Sequence, residues 1–426
     1  MNAVSKSLEE QLPAIRVALE PTGLEPALSE MERMVQENAR RFAEAVMRPA
    51  GRALDRMDPQ DTIAPDSPIW AVLQGAAGLG LTIGALMEMA PAERGRLIPI
   101  MWEELGWGDG GLTIVIGAAS IPWIVLHAMG RHDLIAKYPE GTRIGCWGIT
   151  EPDHGSDMLD FGRQLAYPGS GYGKPNCVAR PDGDQVAING QKSAWVSNAP
   201  IANLCVLYCA WDDGSGKSQD CALLVPLDLP GVSRGKVLDK MGQRPLPQGE
   251  LFFENVRIPR DHVIALPGAE YERAIYAVLA EANAIMGSIW IGVARAAYEH
   301  ALNYAHERRQ GGVPLVRHQN VRYRLFHMFR KVEAARALNH RVQLFNNTAP
   351  IPALQGSIAS KITSTQTAFE VASEAVQMLG GNGVTREYPV EKLMRDARSA
   401  MIEDGCNEIL AIKGGSFLVD PARLRG

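Results

Sequence analysis

The run from Ala375 to Ile409, AVQMLGGNGVTREYPVEKLMRDARSAMIEDGCNEI, leaves this chain few ways to fold. A segment of helical periodicity reaches a glycine turn, a second segment starts after a proline, and that segment stops at an acidic pair followed by glycine. Pro389 suits the first position of a helix, where no N–H is needed, and Gly405 suits the left-handed residue just past a helix end. This reading puts Asp404 at a helix C-terminus. A carboxylate is unfavourable beside exposed carbonyls, so its position points to a functional use, with an ordinary solvated helix end as the alternative.

At 426 residues the chain exceeds one ordinary core, and 46% hydrophobic content supplies apolar surface for two or three packed units. A formal net charge of −5 argues against a nucleic-acid surface. The six cysteines show no C-x-x-C spacing and read as reduced thiols with no metal site. Cys205 and Cys209 would share a strand face as small buried hydrophobes. The opening MNAVSKSLEEQLPAIRVALE lacks a basic segment followed by an apolar core, and its acidic residues disfavour a transit peptide, so a cytoplasmic location is expected. No stretch approaches the roughly 18 uninterrupted apolar residues of a membrane helix, so no membrane span is expected.

Periodicity divides the chain into a helical domain (1–143), a β domain (144–264) and a second helical domain (265–426), an α+β fold. From Leu28 to Arg48 the residues Met31, Met34, Val35, Ala39, Phe42 and Val46 form one apolar stripe. Between Gly111 and Met129 nearly every side chain is apolar or small, so that helix is buried on most sides. Short β-rich runs follow, including Leu204 to Ala210, Cys221 to Leu227 and Leu251 to Val256, which a small barrel or sandwich would accommodate. Pro181-Asp182-Gly183-Asp184 marks one hairpin and Asn189-Gly190 a second. Helical periodicity returns over about Glu270 to Arg308, Gln319 to Asn346 and Ile351 to Leu379, for which four-helix packing is economical.

The C-terminal run resembles the signature of the acyl-CoA dehydrogenases: the turn Leu379-Gly380-Gly381-Asn382-Gly383, then Glu387-Tyr388-Pro389, Arg395-Asp396-Ala397 and the catalytic base. The family base is usually Glu, preceded by an aromatic residue and followed by Gly-Thr. Here the order is Glu403, Asp404, Gly405, Cys406. The ungapped register makes Asp404 the base, with Glu403 as the alternative, and puts Cys406 among the residues at the cofactor. Four further stretches match. CWGITEPDHGSD (146–157) resembles the loop that contacts flavin and the CoA end of the substrate, which implies roles for Thr150 and Ser156; His154 is read as a solvent-facing loop residue without a role. KSAWVSN (192–198) resembles the strand whose Trp packs on the isoalloxazine and whose hydroxyl meets its reactive nitrogen, implying Trp195 and Ser197. MGQR (241–244) with ELFFENVRIP (250–259) resembles the end of the family's β domain. ERRQ (307–310) resembles the segment that reaches the FAD pyrophosphate of a neighbouring subunit, implying Arg308 and Gln310, with Gln377, Gly380 and Gly381 holding the dinucleotide from across the dimer.

The resemblance implies a helical N-terminal domain, a β-barrel or sandwich middle domain and a C-terminal four-helix bundle, assembled as a homotetramer (a dimer of dimers). It implies FAD as cofactor, an acyl-CoA substrate that loses an α-proton to a carboxylate and a β-hydride to FAD, and an electron-transfer flavoprotein as acceptor. Thr113, Ile114 and Gly117 of the buried helix would line the acyl pocket, with plain core packing as the alternative for each. Glu403 and Asp404 would also meet the substrate. That helix holds no Arg, which disfavours a dicarboxylyl substrate. An Asp base one methylene shorter than Glu suggests a cyclic or α-branched acyl group that carries its α-proton closer. Two other readings remain at this point. Nitroalkane oxidases share the fold and an Asp base but carry an Arg seven residues on, where this chain has Ala411. A catalytically lapsed scaffold relative is the other, and retention of FAD would separate it from an enzyme.

Overall fold

The computed structural model describes residues 27–80, 82–160, 173–217 and 219–420. The opening segment read above lies outside these residues. The first helical domain comprises α1 (Glu30–Phe42), α2 (Arg48–Leu54), α3 (Ile69–Gly78), α4 (Ile83–Glu88), α5 (Pro91–Gly108), α6 (Gly110–Ala128) and α7 (His132–Lys137). Helix α1 starts on a capping box, in which Ser29 and Glu32 each accept from the other's backbone N–H. Its buried stripe runs through Glu32, Val35, Ala39 and Phe42. Met31 and Met34, expected on that stripe, lie on its flank and are exposed.

The second helical domain is built from α8 (Ala269–Glu307), α9 (Gln319–Thr348), α10 (Leu354–Leu379), α11 (Val390–Ala400) and α12 (Asn407–Val419). Helix α8 runs through the middle of the molecule and shares one apolar core with α1, α5, α9 and α10. Its crossing with α5 is close because glycines meet there. A Cβ on Gly106 would stand 2.1 Å from the Ile289 carbonyl oxygen, and one on Gly292 the same distance from that of Glu103.

Three segments, Ile69–Glu88, Gly110–Ala128 and Ala269–Glu307, are apolar and long enough to cross a membrane. They qualify by length and mean hydropathy, a criterion that tolerates interruptions, whereas the expectation above concerned uninterrupted apolar runs. Burial inside the protein accounts for most of the α8 window (83%) and about half of the α6 window (56%).

Between the helical domains lie β1 (Gly145–Gly148), β2 (Cys177–Asp182), β3 (Gln185–Ser197), β4 (Leu204–Trp211), β5 (Asp220–Pro226), β6 (Val232–Arg234), β7 (Gln248–Pro259) and β8 (Val263–Ala265). They form one eight-stranded sheet in the order β6-β7-β3-β2-β4-β5-β8, with β1 paired to β4. The apolar run of β4 reflects burial on both faces. Leu204, Val206 and Tyr208 pack toward the helices, while Cys205, Leu207 and Cys209 face the core inside the β domain. The Asp-Gly turn at 183 joins β2 to β3, but Asn189-Gly190 makes no hairpin. Strand β3 continues through it with a register shift at Ile188/Gly190, and Gly190 sits at φ +126 where a Cβ would collide with the Asn176 carbonyl. A close backbone approach, met by a bulge, explains this glycine.

Candidate active site

Helix α11 begins after Pro389, which lies just outside it, and ends at Ala400. Asp404 therefore stands in the turn beyond the helix and not at its last position, with φ +51, followed by Gly405 at φ +95. A left-handed backbone is uncommon for Asp and has to be held by its surroundings. Two tethers do this. The Lys361 ammonium, on α10, donates to the Gly405 carbonyl and to Asn407 Oδ1, each at 2.8 Å. Ser156 Oγ, from the loop after β1, accepts from the Cys406 N–H at 3.0 Å. A buried Lys192–Glu151 pair (2.6 Å) anchors that loop to β3. The start of α11 is fixed by Lys392, which bonds Asp109 and Asp396 at 2.6 Å each. Asp109 in turn caps α6 through the Leu112 N–H. The turn, the loop and the pocket helix are thus joined by charged groups.

They enclose a cavity of about 880 Å³. Its apolar part is formed by Ile114, Gly117 and Ile121 of α6, by Ile285, Met286 and Ile289 of α8, and by Trp102 below Gly117. Toward the β domain it is lined by Thr150, Ser156, Trp195 and Ser197, and Glu403 and Asp404 also form part of its wall. Trp195 is 58% exposed although it forms part of this wall. A large indole left open beside a serine hydroxyl is a fit for the flat ring system of FAD, which needs an apolar face and a polar contact.

The electrostatics of the cavity are unusual. Burial, helped by the neighbouring Asp404 charge, pushes the Glu403 carboxyl up to about 8. Gln243 Nε2 donates to Glu403 Oε1 at 2.6 Å. Burial also raises Asp404, while the Lys361 ammonium opposes that rise. Burial lowers Lys361 to about 8 and Lys240 to about 7. The arrangement holds one carboxyl neutral beside another that a cation favours as the anion, and so provides a base at the cavity wall.

The site residues expected from the sequence divide into two sets. Ile114, Gly117, Thr150, Ser156, Trp195, Ser197, Glu403 and Asp404 come together, and Glu403 faces the cavity. Thr113 does not join them. It is fully buried and its hydroxyl bonds the Asp109 carbonyl one turn back, because its place on α6 faces away from the pocket. Cys406 also stays outside the cavity wall and offers only its N–H to Ser156. Arg308, Gln310, Gln377, Gly380 and Gly381 are exposed on the surface and line no part of the cavity. His154 is not solvent-facing. It is buried, with Nδ1 2.9 Å from Asp157 and Nε2 3.2 Å from the Lys174 carbonyl, and so fastens the 150–157 loop. Lys240, Gln243, Gln248 and Lys361 had no expected role. A lysine inside the small-residue helix SIASKITST was the one signal that could have singled out Lys361.

The description "Acyl-CoA dehydrogenase, middle domain" matches residues 146–256 and "Acyl-CoA dehydrogenase, C-terminal domain" residues 272–415. The mitochondrial short-chain specific acyl-CoA dehydrogenase of Rattus norvegicus is 29% identical over 388 residues, 90% of this chain and 88% of that one. The cyclohex-1-ene-1-carbonyl-CoA dehydrogenase of Geobacter metallireducens is 29% identical, covering 81% and 90%. The crystal structure of glutaryl-CoA dehydrogenase from Mycobacterium smegmatis superimposes with TM-score 0.78 at 25% identity, covering 92% and 95%. The fold and the site define a flavin-dependent oxidoreductase. The chain belongs to the acyl-CoA dehydrogenase family, whose cofactor is FAD.

Proposed function

We propose that this enzyme dehydrogenates a cyclic or α-branched acyl-CoA thioester between its α- and β-carbons, with Asp404 as the base. The observation that carries the reading is that Asp404, Glu403, Trp195 and Ser197 line one cavity together with an apolar wall from α6 and α8. FAD, when bound, supplies the hydride acceptor. Asp404 removes the α-proton, and its own N–H, which donates to no protein group among the described residues, is directed to the thioester oxygen. Burial and the Asp404 charge keep Glu403 neutral at neutral pH, against the amide N–H of Gln243, which favours its anion; Glu403 is therefore the poorer base and a positioning neighbour of Asp404. The G. metallireducens relative, whose name specifies a ring substrate, supports a cyclic acyl group.

Exposure of Arg308, Gln310, Gln377, Gly380 and Gly381 outside the cavity supports completion of the FAD site by a second subunit, in a homotetramer. An electron-transfer flavoprotein is the expected acceptor, and the cytoplasm the expected location. The decisive experiment is anaerobic flavin bleaching with cyclohexanecarboxyl-CoA, butyryl-CoA and nitroethane for wild type, Asp404→Asn and Glu403→Gln. Loss of bleaching in Asp404→Asn, with faster bleaching by the cyclic thioester, is expected. Retention in Asp404→Asn with loss in Glu403→Gln would transfer the base to Glu403, and bleaching by nitroethane alone would replace the reaction.

A further inference from the structure

Along the cavity wall, a polar chain joins Ser197 to two residues, Gln248 and Lys240, that the reaction as described does not use. The Lys240 ammonium donates to the Leu246 carbonyl at 2.7 Å and to Gln248 Oε1 at 2.9 Å. An ammonium can only donate, so the Gln248 oxygen must face it and the orientation of the amide is settled. Gln248 Nε2 then points the other way, 3.1 Å from Ser197 Oγ and 3.4 Å from the Trp195 carbonyl. Gln248 is 8% exposed and is the ladder partner of Ser197 across β7 and β3, which fixes the two side chains side by side. Because Ser197 Oγ accepts from Gln248, its own proton is left to donate into the cavity that it lines.

We propose that Lys240 and Gln248 form a relay that fixes the Ser197 hydroxyl as a donor toward the flavin ring and thereby sets the reduction potential of the FAD. This rests on the reading that Ser197 faces the flavin. Reduction makes the flavin nitrogen richer in electrons, so an aligned O–H backed by a cation two hydrogen bonds away favours the reduced form. Gln248 and Lys240 act through Ser197 and are positioning residues. No carboxylate pairs directly with Lys240 among the described salt bridges. The charged groups that act on it are Glu403 and Asp396, which favour its ammonium form, and Arg244, which opposes it. If the relay were only a structural brace for the start of β7, its loss would alter stability and leave the potential alone.

The test is the midpoint potential of bound FAD in the purified holoenzyme at pH 6, where Lys240 is charged. The set comprises wild type, Ser197→Ala, Gln248→Leu, Lys240→Met, and each of the last two combined with Ser197→Ala. Each single variant is expected to weaken flavin reduction about tenfold in equilibrium constant, which is about 30 mV for a two-electron couple. In the Ser197→Ala background, Gln248→Leu and Lys240→Met are expected to add nothing. Persistence of either effect there would show an action that does not pass through the Ser197 hydroxyl and overturn the relay. A shift in Ser197→Ala with none in Gln248→Leu or Lys240→Met would also overturn it, while leaving Ser197 at the flavin. No shift in Ser197→Ala would remove both the relay and the reading beneath it. Lys240→Met, which keeps the apolar stem, carries the same cycle if Gln248→Leu fails to retain FAD.

Discussion

Two clusters of buried charge in this protein use the same residue types to opposite effect. Where α5, α8 and α9 meet, Glu103, Glu104, Arg295 and Arg336 are all almost wholly buried. Arg336 grips Glu103 through two bonds of 2.7 and 3.0 Å, and Arg295 grips Glu104 through bonds of 2.5 and 3.2 Å. Burial alone would raise Glu103, but the two guanidiniums outweigh it and hold that carboxyl below its usual range. At the cavity the carboxyls rise and the lysines fall. The difference is one of geometry. The first cluster matches planar forks to carboxylates, whereas in the second the lysines bond carbonyls and amide oxygens, and the two acids adjoin each other. A paired cluster holds helices together; an incompletely paired one stays ready to exchange a proton.

The contrast is broken most severely at Asp404. Asp404→Asn is expected to slow anaerobic flavin reduction by acyl-CoA by about 10²–10⁴-fold. Its thermal midpoint should match or exceed that of wild type, because a buried charge is removed. Arg336→Met should do the reverse. It leaves Glu103 with Arg295 alone, at 3.2 Å, and should cost up to about 3–5 kcal/mol, measured as a lower urea midpoint, while flavin reduction per bound FAD is kept. Equal loss of stability in both variants would erase the distinction between the clusters.

The fold was legible because it rests on periodicity and local stop signals: the apolar run of α6, the Asp-Gly turn at 183 and the glycine turn after α10 all read directly. Within the site, Trp195, Ser197, Thr150 and Asp404 were legible as motif residues. What stayed hidden depended on register or on long-range contact. Thr113 was misplaced because its one-turn bond to Asp109 is set by the phase of α6 against its neighbours, and Gly190 because a bulge is demanded by another strand. Gln243 and Lys361 are over a hundred residues, and over forty, from the turn they hold. No local pattern announces such partners.

A smaller effect sharpens the comparison through pH. The folded value of Glu403, about 8, lies above its unfolded value of about 4.3. The native state therefore binds this proton more tightly, and the stability it contributes is complete below the unfolded value and lost as pH rises through about 8. Glu403→Gln stays neutral and escapes that loss. Melting curves at pH 5 and pH 9 should show the variant gaining on wild type at the higher pH. A constant difference between the two would mean that Glu403 is already ionised in the folded enzyme.

The least effect is expected at His154, which stands between the two clusters in kind: a buried imidazole paired with a partly exposed Asp157. Burial works against its charge, but the bonds to Asp157 and to the Lys174 carbonyl outweigh it and raise its value above 6.5. Stability from the charged pair is thus fully present below the unfolded value and is lost as pH rises through the folded one. His154→Gln should cost of order 1 kcal/mol or less, and the cost should shrink between pH 5.5 and pH 8.5. Since the pair fastens the loop that carries Thr150 and Ser156, KM for acyl-CoA should rise over the same pH range in wild type and stay flat in the variant. A pH-independent cost would assign His154 to packing alone, and the loop would then be held chiefly by the Lys192–Glu151 pair.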